Sequence, residues 1–156
     1  MSHRKLYLAL GIAIGLLILV ACFFQVWQTM SYKKPIKDTI GHAQSTLTYE
    51  IADTPAKQEL GLGNRASIPD NYGMLFVFAK DDRYGFWMKD MLVPIDMLWL
   101  SDNGTVVAVD DTVEPDTYPH AFYPPVPVRY VVETRAGFAA SHDIVVGSVV
   151  PLPAPY

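Results

Sequence analysis

Four side chains are the strongest candidates for holding a ligand: Arg65, Trp87, Lys89 and Asp96. Arg65 follows a glycine stop and reads as a loop residue. Trp87 and Lys89 are two positions apart, so on a strand they share a face. Asp96 lies within the apolar stretch Ile95–Met97, where a carboxylate without a partner is costly. Two arrangements fit these residues. One is an internal ion pair, Asp96 with Arg65 or Lys89, that fixes the fold. The other is a polar pocket beside an aromatic wall, in which Arg65 and Lys89 bind an anionic or polyhydroxyl ligand. Strand parity bears on both. A tight connection over Asp90–Pro94 pairs Lys89 with Ile95 and puts Asp96 on the Met88 face; a one-residue bulge brings Lys89 opposite Asp96.

Other chemistry has less behind it. Met74, Met88, Met91 and Met97 cluster in sequence, with His120 and His142 later, and thioethers suit Cu(I). Methionine is also an adaptable core filler, and Met74 and Met97 sit in apolar runs, so packing is expected and no metal is assigned. Asp110, Asp111, Glu114 and Asp116 form an acidic run without the calcium-loop pattern, and they read as a solvated loop. Tyr118, His120, Phe122 and Tyr123 could stack on a sugar or peptide, or cover the open end of a sheet. There is no Gly-x-Ser-x-Gly and no nucleotide-binding glycine loop. No cofactor is implied.

The elements that must position these residues are mostly strands. Thr46–Ile51 alternates, with Leu47, Tyr49 and Ile51 on one face. Met74–Phe78 is a short apolar run, and Tyr84–Lys89 alternates. Ile95–Leu100 and Thr105–Val109 flank Asp102-Asn103-Gly104, a hairpin signal because Asn-Gly tolerates positive φ. Arg129–Thr134 and Ile144–Val150 complete the predicted strands. Thr54 is placed to cap a short helix with Pro55 in its first turn and Gly61 as its stop. Ala136–His142 is a second, weaker helical turn. Five prolines between Thr112 and Val128 make that segment a long loop. Short strands at close spacing predict a mainly β domain, a sandwich or small barrel with one or two short helices.

The first 37 residues are different. They carry five basic side chains and no acid, whereas the remainder carries seven basic and 16 acidic side chains, a net −9. So acidic a body is not built to neutralise phosphates, and no nucleic-acid partner is expected. Leu6–Phe24 is a run of nineteen uncharged residues. As a helix it is ~28 Å long, about the thickness of the bilayer hydrocarbon. The expected organisation is a transmembrane helix or signal segment in residues 1–30, a linker at 31–44, the β domain at 45–152 and a short tail at 153–156. Three fates are open to the first segment: an uncleaved anchor, a cleaved signal, or a lipoprotein signal. Leu19-Val20-Ala21-Cys22 resembles a lipobox, with Cys22 as the lipidated residue. The basic residues flank the run on both sides, so the positive-inside count is nearly tied. A first helix this close to the start behaves like a signal. It therefore places the N-terminus inside and the β domain outside the cytoplasmic membrane.

Several stretches, taken in order, resemble the domain-of-unknown-function family numbered 192, the uncharacterised ancient conserved region family. They are Thr54-Pro55 leading to Gly61-Leu62 and Arg65, Gly73–Phe78, Phe86-Trp87-Met88-Lys89, Pro94-Ile95-Asp96, and Tyr130–Glu133 with Gly137. The resemblance spans about Tyr49 to Val150. It departs at Gly63, where the family usually has methionine, and at Asp90-Met91, which replaces Asn-Thr. It implies a compact, mainly β, jelly-roll-like fold and frequent export or membrane attachment. It implies no activity.

Taken together, the sequence predicts a membrane-anchored domain outside the cytoplasmic membrane. The first expectation for it is a non-enzymatic binding or accessory module for a small polar ligand or an envelope partner. One alternative is an envelope saccharide hydrolase or lyase using Asp96 or Glu133 with Lys89 or Arg65. The other is a purely structural interaction domain.

Overall fold

The computed structural model describes residues 47–156, which fall within one compact unit. The predicted membrane segment at residues 6–24, Cys22 and the linker lie outside the described residues. Among the described residues no helix is long and apolar enough to cross a membrane.

The chain runs β1 (Thr48–Ala52), α1 (Pro55–Leu60), β2 (Tyr72–Asp82), β3 (Phe86–Trp87), β4 (Ile95–Leu100) and β5 (Val106–Val113). A 3-10 turn (Pro115–Thr117), β6 (Ala121–Phe122), β7 (Val128–Arg135) and α2 (Phe138–Ser141) follow. Five strands form one sheet in the order β1-β2-β7-β4-β5, and β3 pairs with β6 in a separate two-stranded ribbon. The domain is mainly β with two short helices, as expected, but its sheet is open and mixed rather than a closed barrel. β1 runs parallel to β2, and the other neighbours are antiparallel. A parallel pair cannot be joined by a tight turn. The chain therefore crosses over through α1 and the following loop, and this crossover builds one wall of the site described below.

Local signals account for many boundaries. Thr54 Oγ1 accepts from Lys57 N, Pro55 opens α1, and Gly61 ends it at φ 51°, ψ −137°. That conformation is essentially confined to glycine. The β4–β5 hairpin turns where expected, although among Asp102, Asn103 and Gly104 only Gly104 takes positive φ, at 79°. Asn103 contributes a side-chain acceptor for Thr105 N instead. Ile144–Val150, expected as a strand, makes only a single bridge, Thr105 to Val149. Gly147 at φ 93° breaks its extended run. The predicted proline loop contains β6.

Both faces of the large sheet are covered. Odd positions of β4 (Ile95, Met97, Trp99) join Met74, Phe76 and Val131 under the β3–β6 ribbon, where Phe86 packs edge-on against Phe76 and Trp99. Even positions (Leu98, Leu100) join Leu75, Val132 and Phe138 on the opposite face. Met74, Met88, Met91 and Met97 all pack into the first of these two clusters, so they serve as core filling.

Candidate functional site

Asp96 belongs to the scaffold. It is fully buried, and its even position turns it toward the α2 face. Opposite it, β5 carries a bulge, since Ile95 pairs with Val113 but Met97 pairs with Asp110. Thr112 lies in that bulge at φ 50° and directs its N–H to Asp96 Oδ1 at 2.8 Å. Gly137 N donates to Oδ1 at 3.1 Å, and Ala139 N donates to Oδ2 at 2.8 Å. One carboxylate thus caps α2 and fixes a bulge through three charge-assisted bonds. Neither of the ion pairs considered for it, with Arg65 or with Lys89, forms. Pairing of Lys89 with Asp96 across adjacent strands is ruled out because β3 pairs with β6, not with β4.

Arg65 bridges the edge of the sheet. Its Nη2 donates to Glu50 Oε2 at 2.9 Å on β1, and its Nη1 donates to the Tyr72 hydroxyl oxygen at 2.7 Å on β2. The Tyr72 hydroxyl in turn donates to Glu50. The Tyr72 bond first, and the Arg65 bond after it, hold the Glu50 carboxyl below the usual carboxylate range.

Trp87 and Lys89 are both exposed, while Phe86 and Met88 between and beside them are buried. This alternation turns the exposed pair toward a cleft of about 290 Å³. That volume is at the small end for a ligand pocket, ~300–1,000 Å³. The C-terminal half of α1, with Gly61 and Leu62, forms one wall. Phe76, Phe78, Tyr84, Phe86 and Trp87 form an aromatic wall, with Phe78 stacked on Tyr84 at a centroid distance of 3.6 Å. Arg65 and Asp96 are not among the residues lining the cleft. The four candidates are therefore divided: two at the cleft, one beside the sheet edge, and one on the opposite face of the sheet.

The cleft also holds Glu133, on the central strand β7. Its register partners are Met74 on β2 and Met97 on β4. The side chain is 4% exposed, and Oε2 has no hydrogen-bond partner. Burial pushes its carboxyl up to about 8, against weaker opposing effects of the Leu62 amide and the Arg65 charge. The glycine at position 61 is part of the same construction. A β-carbon there would lie 3.4 Å from Glu133 Oε2 and 3.5 Å from Phe76 Cζ, so a side chain would close the cleft onto the carboxyl. A buried acid with one oxygen left without a partner on a central strand is unfavourable for folding and is unusual outside functional sites. In the sequence Glu133 is legible as an alternative to Asp96 for a catalytic carboxylate, but not as the buried acid of the cleft.

No curated protein matches this chain. Among solved structures, it is similar to a candidate transcription regulator from Sinorhizobium meliloti, with 32% identity and a TM-score of 0.62 over 65% of this chain and 78% of that one. It is also similar to a protein of unknown function from Novosphingobium aromaticivorans, with 26% identity and a TM-score of 0.62 over 68% of this chain and 75% of the other. The family model described as Uncharacterized ACR matches residues 36–152. That range takes in the whole sheet and every residue of the cleft, and the chain belongs to the domain-of-unknown-function family 192.

Proposed function

We propose that the domain is a binding module that takes a small polar ligand in the Glu133 cleft. The observation that carries this reading is the partnerless Glu133 Oε2 at an aromatic-walled cavity. A ligand supplying a hydrogen-bond donor would relieve that cost, while the rings would stack on its body. A ligand at 100 times its Kd adds about 2.7 kcal/mol of stability, so thermal-shift screening of the full-length chain detects it. Trp87 is 49% exposed, so Trp87→Ala is expected to leave the melting temperature of the free protein nearly unchanged while abolishing the ligand shift. A shift that survives Trp87→Ala at full size would count against the cleft.

A second reading is favoured by the raised carboxyl alone. A glutamic acid still protonated near neutrality is equipped to donate a proton to a leaving group, as in a glycoside hydrolase, with Glu59 as the other carboxylate lining the cleft. Turnover of chromogenic glycosides, lost in Glu133→Gln, would favour this reading over simple binding. The charge of this chain does not suit a regulator that acts on DNA. At net −9, residues 38–156 would repel nucleic acid.

We further propose that residues 6–24 tether the domain to the cytoplasmic membrane, with the domain on the outer side. Support comes from the nineteen uncharged residues with basic flanks and from the likeness of Leu19-Val20-Ala21-Cys22 to a lipobox, which requires the outer side. Unprocessed full-length protein is expected in the membrane fraction and accessible to protease in intact spheroplasts. Recovery in the soluble fraction without detergent would refute the tether, and protection until lysis would reverse the orientation.

A further inference from the structure

The polar lining of the cleft consists mainly of acceptors. Gln58 Nε2 donates to Ala52 O at 3.1 Å and to Val77 O at 2.9 Å. Both amide hydrogens are committed, so only the Gln58 carbonyl oxygen is left for a ligand. Tyr84 spends its hydroxyl hydrogen on Lys80 O. Glu59 and the buried Glu133 add carboxyl oxygens, and the aromatic wall adds π systems, which attract cations. The side-chain donors left on the lining are Lys89 and the Trp87 indole, both on exposed residues, and the Glu133 O–H, which is lost once that carboxyl ionises. Such a lining is poorly suited to an anion and well suited to a cation rich in N–H groups.

We infer that the cleft binds an alkylammonium group, its N–H donors on Glu133 and its apolar body between the rings. This rests on the binding-module reading and narrows it. The same group could come from a free small amine or from a lysine side chain of a partner protein. A bound cation favours the ionised carboxylate, which burial otherwise keeps protonated up to about 8. Binding near neutral pH therefore releases a proton from Glu133, and affinity rises as the pH rises toward 8. The other charged groups around Glu133 are Arg65, whose charge already favours the carboxylate, and Lys89 and Glu59 on the cleft lining.

The test titrates full-length protein in a polyoxyethylene detergent with benzylammonium, benzyl alcohol and benzoate. Calorimetry in two buffers of different ionisation enthalpy reads the proton released. Benzylammonium is expected to bind at least about tenfold tighter than benzyl alcohol, with proton release, and Glu133→Gln is expected to remove both the preference and the release. Nα-acetyl-lysine amide as a fourth probe separates the sources: tighter binding than benzylammonium assigns a protein lysine, and weaker binding a free amine. If benzyl alcohol or benzoate binds as well as the amine, or if the preference persists in Glu133→Gln, the ammonium assignment is overturned while the cleft remains a binding site. If no probe binds and broad screening gives no shift, the assignment and the binding-module reading fall together.

Discussion

Replacing Asp96 with alanine is expected to cost about 4 kcal/mol of stability, a large fraction of the 5–15 kcal/mol typical of a domain. The substitution leaves the N–H groups of Thr112, Gly137 and Ala139 without their acceptor, and it empties a fully buried position. It also releases the bulge in β5, where Thr112 holds a left-handed conformation that costs on the order of 1 kcal/mol by itself. Asp96→Asn is expected to cost about half as much, because its one oxygen can still serve Thr112 and Gly137 while its amide opposes the Ala139 N–H. Denaturant titration measures both losses. Hydrogen exchange at the three amides shows whether the opening is local to α2 and the bulge. A loss below about 1 kcal/mol for the alanine variant would show that water replaces the carboxylate, and that Asp96 is not the keystone of this face.

Glu133→Gln is expected to act in the opposite direction, with a pH dependence whose sign follows from burial. The folded carboxyl titrates near 8, while the unfolded one is close to its ordinary 4.5. Below both values, folded and unfolded chains are equally protonated at this site. Between them the unfolded chain gives up its proton while the folded chain keeps it, so the stability of the wild type falls as pH rises through this window and levels off above it. Removing the acid eliminates that slope. The gain should be close to nothing near pH 3, about 1 kcal/mol near pH 5 and as much as about 5 kcal/mol near pH 9. Denaturation midpoints of the two proteins at several pH values check it, and parallel pH profiles would contradict it. A protein that becomes more stable when one buried acid is neutralised is retaining that acid for a reason other than folding.

The two carboxyls show why the candidate site was only half legible. Both interrupt apolar strands and read alike in sequence. Asp96 stands out in the sequence and Glu133 ranks behind it, yet Asp96 meets three backbone amides and Glu133 Oε2 meets none. The difference lies in partners far away in sequence: the Thr112 bulge and the start of α2 for one, the end of the α1 crossover for the other. Trp87 and Lys89 were legible as a pair because alternation is local, and both do line the cleft. Arg65 was legible as a loop cation, but its capture by Glu50 and Tyr72 depends on β1 lying parallel to β2.

By itself the sequence determined the family, the mainly β character, the cap and stop of α1, the β4–β5 hairpin and the acidity of the body. Each of these is written in side-chain type and short-range spacing, since capping, turn formation and burial period act over a few residues. Only the tertiary structure decided that the sheet is open and mixed, that β3 pairs with β6, and that Glu133 rather than Asp96 faces the cleft. Strand order and direction are set by which apolar faces cover one another across the whole chain. On the paired strands β4 and β7, that pairing turns one carboxyl toward backbone amides and the other toward a cavity.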